Sequence, residues 1–161
     1  GIVFTTLHKF APLAGDDIAK VLLGETPELP GANAAIECTG DGTYRVTETA
    51  PTGDRKELTL AIDERDVKKP AAEQRLTLIK ARFLDSKGKV VWRATFEDYR
   101  SVTAKDGIRA RMPFDVHVEH LVRHSEMWLT FKDIDLNVTV PEGVFQQTPR
   151  PGMPVTEAIC E

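Results

Sequence analysis

The feature that most limits what this chain can fold into is a strict two-residue alternation. In "VVWRATFEDY", Val90, Trp92, Ala94 and Phe96 fall on one parity, while Arg93, Thr95 and Glu97 fall on the other. "PFDVHV" repeats the pattern, with Phe114, Val116 and Val118 set against Asp115 and His117. Such alternation predicts strands with one dry and one wet face, because a β-strand sends successive side chains to opposite sides. Turn signals separate the runs: Gly40-Asp41-Gly42, Pro51-Thr52-Gly53-Asp54, "SKGK" at 86–89 and "KDG" at 105–107. Gly and Asp at these places accept the positive φ that tight hairpins require. Five or more strands joined this way imply an antiparallel meander, one sheet curled around something apolar.

One segment breaks the parity. In "MWLTFKDIDLNVTV", Leu129 and Phe131 share one phase, and Ile134, Leu136, Val138 and Val140 take the other. The expectation is a strand over 127–140 carrying a β-bulge near Lys132–Asp133, which would bend the sheet. A bulge at the edge of an ordinary sandwich accounts for the same letters. A helix is expected over 13–23, with Asp16 and Asp17 near its positive end and Gly24 and Pro27 as its stop. Its apolar face is Leu13, Ile18, Val21 and Leu22. A helix this short is not stable alone, so it should pack on the sheet.

With 161 residues, 41% of them hydrophobic, the chain can bury the core of one domain. A net charge of −4 leaves no basic footprint for nucleic acid. No apolar run of about 18 residues is present, so no membrane-spanning helix is expected. The apolar opening "GIVFTTLHKF" carries the expectation of a processed or truncated chain. Cys38 and Cys160 leave a disulfide and two free thiols equally open. His117, His120 and His124 suggest a metal set, but on a strand the first two point to opposite faces, so solvated histidines on the polar face are expected instead. "EDYRS" at 97–101 brings Glu97, Asp98 and Tyr99 together without a nucleophile and its base, and "TPELPGANAA" reads as linker. No nucleophile elbow, zinc motif or phosphate loop appears, so no enzyme activity, metal or cofactor is expected.

The order "LDSKGKVVWRATFEDYRSV", "RMPFDVHVE", "LTFKDIDLNVTVPEGVF" resembles the LolA/LolB-like superfamily of lipoprotein carriers. The matching positions are Phe96, Asp98 and Tyr99, then Met112 and Pro113, then Asp133, Leu136 and Asn137, then Pro141 and Phe145. The helix "DDIAKVLLGETP" also resembles one that the family packs into its curved sheet, and the likeness covers roughly residues 1–150. The family's N-terminal helix and first strands have no counterpart here. The arginine that such carriers supply from that region has none either.

The resemblance implies a mainly β (α+β) fold, a curved antiparallel sheet forming an open half-barrel with a short helix on its concave face. It makes 1–161 a single, N-terminally incomplete domain. The expected ligand groove is apolar: Ile18, Val21, Leu22, Trp92, Phe96, Phe114, Val116, Leu129 and Phe131. Its implied cargo is the acyl chains of lipoproteins or other lipidated molecules, held in a cavity of several hundred Å³. The implied place is the periplasm or the inner face of the outer membrane, with peripheral membrane contact at most. The alternative expectation is a structural or assembly protein of the cell envelope that binds a protein partner through its sheet, an exposed edge accepting a further strand.

Overall fold

The computed structural model describes residues 20–21, 23–136 and 138–139. Seven strands follow one another: β1 (Asn33–Cys38), β2 (Thr43–Thr49), β3 (Arg55–Ile62), β4 (Leu76–Leu84), β5 (Val90–Thr103), β6 (Arg109–His120) and β7 (Ser125–Thr130). They stand in one sheet in chain order, each antiparallel to the next. The meander read from the turn signals is present. At the β4–β5 turn, Asp85 Oδ1 accepts the N–H groups of Lys87 and Lys89, both at 2.9 Å, and Gly88 supplies a φ of +79°. Among the described residues β1 and β7 do not pair, so the sheet is open. Two single 3-10 turns, Glu64–Asp66 and Ala71–Glu73, occupy the β3–β4 connection.

Directly opposed residues share a face, so the register writes the faces out as rows. One row runs Ile36, Val46, Leu58, Ala81, Ala94, Val118, Met127. The row beside it on the other face runs Ala35, Thr47, Glu57, Arg82, Arg93, Glu119, Glu126. There Arg93 donates two hydrogen bonds to Glu119, at 2.8 and 2.7 Å, and Arg82 Nε donates to Glu57 at 2.6 Å. The expected dry and wet sides therefore hold: Trp92, Phe96 and Val116 are buried, and Arg93 and Glu97 are exposed.

The dry face is covered over β5 and β6 by Val21, which packs with Ala81, Trp92, Ala94, Phe96, Val116 and Val118. Of the helix expected over 13–23, residues 13–19 and 22 lie outside the described residues, Ile18 and Leu22 among them. The helix is not shown; the described part is a closing turn. Glu25 N–H bonds Lys20 C=O at 2.9 Å and Gly24 N–H bonds Val21 C=O at 3.1 Å, the paired bonds of a Schellman stop. The chain then crosses the face toward β3, where Lys56, itself buried, bonds both Pro27 C=O and Glu48 at 2.8 Å. Beyond β3 the cover ends. Ile36 is 71% exposed, and every residue of β1 is open to solvent.

Three expectations need correction. β7 ends at Thr130 rather than running to 140, and the parity change is not a bulge inside one strand. Phe131 N–H still bonds Phe114 C=O at 2.8 Å, after which the chain leaves the ladder. Ile134 and Leu136 then pack on a second cluster, Val102, Met112 and Phe114, which Phe131 borders as well as the first, so the parity changes where the chain passes from one core to the other. Met112, Pro113 and Phe114 are consecutive and all buried, which requires cover on both faces of β6. Phe114 therefore belongs to the second core and not with Trp92, Phe96 and Val116. Finally, His120 is no solvated histidine: it stands opposite Trp92 on the dry face, 2% exposed. Cys38 is a free, exposed thiol, while Cys160 lies outside the described residues.

Candidate functional site

The sheet divides at one end. β4 and β5 pair only from Leu84–Val90 to Lys80–Thr95. Meanwhile β3 stays with β4 down to Ile62–Leu76, and β5 stays with β6 down to Thr103–Arg109. Two irregularities sit at the fork. The register shift at Thr59/Leu60 leaves Ile79 as an extra residue on β4. Asp98 on β5 has a φ of +51°, in the left-handed region. It resets the alternation, since Phe96 and Tyr99, three residues apart, both contact the first core.

A cavity of about 560 Å³ occupies this fork. Ala61, Ile62, Ile79 and Phe96 give it an apolar part. Tyr99 Oη bridges the parted strands by donating to Leu78 C=O at 2.6 Å, and burial pushes its pKa up to about 12. At neutral pH the phenol keeps its proton and remains a donor. Across the fork, Arg111 Nη1 on β6 reaches Asp63 Oδ2 at 2.9 Å and Thr77 Oγ1 at 3.3 Å. Its guanidinium lies 5.7 Å from the centre of the Tyr99 ring.

Asp63 organises the polar rim. It follows β3 and caps the first 3-10 turn by accepting Arg65 N–H at 3.1 Å, while its two oxygens also hold Arg65 Nε and Nη2 at 3.0 and 2.9 Å. The Arg65 hydrogen bonds hold its carboxyl well below the usual carboxylate range. Asp66, with no solvent exposure, accepts from Arg75 Nε at 2.5 Å and from Lys69 at 2.6 Å, and those bonds depress it likewise. Both groups are carboxylates throughout the neutral range. Glu64, Glu97 and Asp98 also line the cavity, Asp98 being paired with Arg100.

Of the residues expected to form the groove, Ile18 and Leu22 lie outside the described residues and Phe114 belongs to the second core; the rest are brought together, but as packed core. Val21, Trp92, Phe96 and Val116 are buried in one cluster, with Leu129 and Phe131 half-buried against it. Of the seven that are described, Phe96 alone borders the cavity. The cavity has the expected scale but a mixed polar and apolar lining. Asp63, Arg65 and Arg111 escape sequence reasoning because 48 residues separate Asp63 from Arg111. The available signal was the charge run "DERD" set directly against the apolar "LTLAI".

A second hollow, about 250 Å³, lies at the β6–β7 turn beside His120, His124 and Ser125. His120 Nδ1 accepts Arg123 N–H at 3.2 Å, which fixes the ring proton on Nε2. That Nε2 and the hydroxyl of Ser125, its cross-strand partner, are buried without hydrogen-bond partners among the described residues. His120 thus turns an N–H toward this end, not a lone pair, and the two are not arranged as base and nucleophile. On the wet face, His117 instead stacks on the exposed Trp128 at 3.6 Å, and no cluster of metal ligands occurs among the described residues. No protein-family model, curated protein or solved structure matches the chain.

Proposed function

We propose that the protein binds and carries amphiphiles with long acyl chains, the chain lying in the fork between β4 and β5. The observation that carries this reading is the cavity of about 560 Å³ whose apolar part meets a polar rim at one end of the sheet. Each methylene moved out of water contributes about 0.8 kcal/mol, so an acyl chain binds strongly with few polar contacts. The β1–β3 part of the dry face, with Ile36, Val46 and Leu58 incompletely covered, offers further apolar surface next to it. Curling of the open sheet around a ligand, as a half-barrel in the cell envelope carrying lipoproteins or other lipidated molecules, belongs to this proposal.

The test is organic extraction and mass spectrometry of the purified protein, followed by titration with a long-chain fatty acid read by Trp92 fluorescence. Co-extracted acyl lipid and a saturable Trp92 response are expected, and Ala61→Phe, which fills the cavity, should remove the response while the protein stays folded. A Trp92 signal that persists unchanged in Ala61→Phe would sink the reading. Exposed Trp128 needs a Trp128→Phe background to silence it. One observation favours a second reading, envelope assembly through a protein partner: among the described residues no strand pairs with the outer edge of β1, and all six of its residues are exposed.

A further inference from the structure

The rim of the cavity contains an arrangement that an acyl chain alone does not require. Arg65 Nη2 and Arg111 Nη1 both donate to the same oxygen, Asp63 Oδ2, at 2.9 Å each. One nearly buried carboxylate, 5% exposed, therefore holds two guanidinium groups side by side, and Arg75 Nη2 lies 3.7 Å from that oxygen as well. Asp63 and Asp66 face Arg65, Lys69, Arg75 and Arg111, and of these Asp63, Arg65 and Arg111 line the cavity, together with Glu64, Glu97 and the Arg100-paired Asp98. The donors are not exhausted. Among the described residues Arg111 bonds Asp63 and Thr77 through Nη1, and its Nε and Nη2 have no partner there. Arg65 bonds Asp63 through Nε and Nη2, which among the described residues leaves Nη1.

From this we infer that Arg65 and Arg111 form a recognition site for the anionic oxygens of the ligand's head, with Asp63 as the residue that positions both. The inference rests on the acyl-binding reading above and narrows it to ligands with one anionic head, a carboxylate or a phosphate monoester. Two convergent guanidinium forks match the planar or tetrahedral oxygens of such groups, and charge-assisted bonds of this kind are the strong ones. Glu64 and Glu97, exposed on the same lining, disfavour a head with several negative groups.

Calorimetric titration of the full chain with oleate, oleoyl lysophosphatidic acid and oleyl alcohol, each below its aggregation limit, tests this. Oleate or the lysophosphatidic acid should bind at least about tenfold more tightly than the alcohol, and the tighter of the two identifies the head as carboxylate or phosphate. Arg65→Gln and Arg111→Gln should each weaken the anionic ligand about tenfold and leave the alcohol unchanged. Arg111→Lys should retain part of the preference. Arg65 lies on an exposed turn, so its variant keeps the test usable should Arg111→Gln unfold. Equal affinity for alcohol and anion in the unmodified protein, or equal losses for both in the variants, overturns the inference and leaves acyl binding standing. Absence of binding by all three overturns both.

Discussion

Val21 is 1% exposed and touches both hydrophobic strands of the long hairpin, so a charge there cannot reach water. Val21→Asp is expected to cost at least about 3 kcal/mol in a urea titration, or to prevent folding. An unchanged midpoint would mean that the cover over β5 and β6 does not bear on stability. His120 is the other residue whose position decides something. Burial lowers its pKa, so the folded protein keeps it neutral where the unfolded chain already takes up a proton. The unfolded state then binds more protons, and stability falls as pH drops below about 6.5 toward the folded pKa. Thermal melts between pH 7.5 and 5 should show this decline, and His120→Gln should flatten it. Curves that coincide for both proteins would remove His120 as the cause.

At the level of elements, the strands were legible and their ends were not. "VVWRATF" and "PFDVHV" carry a period that no helix shares, and the Gly-bearing turns divide them, so β2 to β6 could be placed from local chemistry. β7 failed at Thr130 because alternation records that a side chain is buried, not what buries it. Leu129 and Ile134 are both covered, by different cores, and the sequence writes that as one strand with a slip. The cavity was illegible for a related reason: it exists because a ladder stops at Lys80–Thr95, and Ile79 and Asp98 look like ordinary strand residues. Phe96 stood out through its alternation and Asp98 and Tyr99 through "EDYRS" and the resemblance, but none of these pointed to a fork. Gly24 shows how one element is docked on another. Its φ is +79°, and an added Cβ would sit 3.1 Å from Pro113 Cδ and 3.4 Å from the Tyr99 hydroxyl. Gly24→Ala should cost about 1–2 kcal/mol from the left-handed backbone, with the contact adding to it, because the Pro113 ring cannot rotate aside. Stability equal to wild type by chemical denaturation would show that this segment leaves the sheet at no cost.

Across the whole molecule, the two ends of the sheet are held by different forces. Near Ala94, Val116 and Val118 the hold is apolar, and the acid sensitivity of that end comes from His120, opposite Trp92, rather than from carboxylates. At the fork β4 and β5 lack ladder bonds, and Asp63 joins β3 to β6 through Arg111, while Asp66 ties the 3-10 turn to Arg75. Hydrogen bonds from Arg65 to Asp63, and from Arg75 and Lys69 to Asp66, set both folded pKa values below those of the unfolded chain. Their contribution is therefore complete above about pH 4 and is lost as pH falls from there through the folded values. Opening confined to the fork releases these same carboxylates, so acid should free that end before the rest. Hydrogen exchange with mass spectrometry, corrected for intrinsic rates, should show 61–66, 76–79 and 109–113 losing protection between pH 5 and pH 3. Residues 92–96 and 116–118 should keep theirs over the same interval. Asp63→Asn should show the open pattern at the fork already at pH 5, since it removes the charge that acid would neutralise. Uniform loss along β5 and β6, or a fork as protected at pH 3 as at pH 5, would mean that the ionic cluster decorates this end of the sheet without closing it.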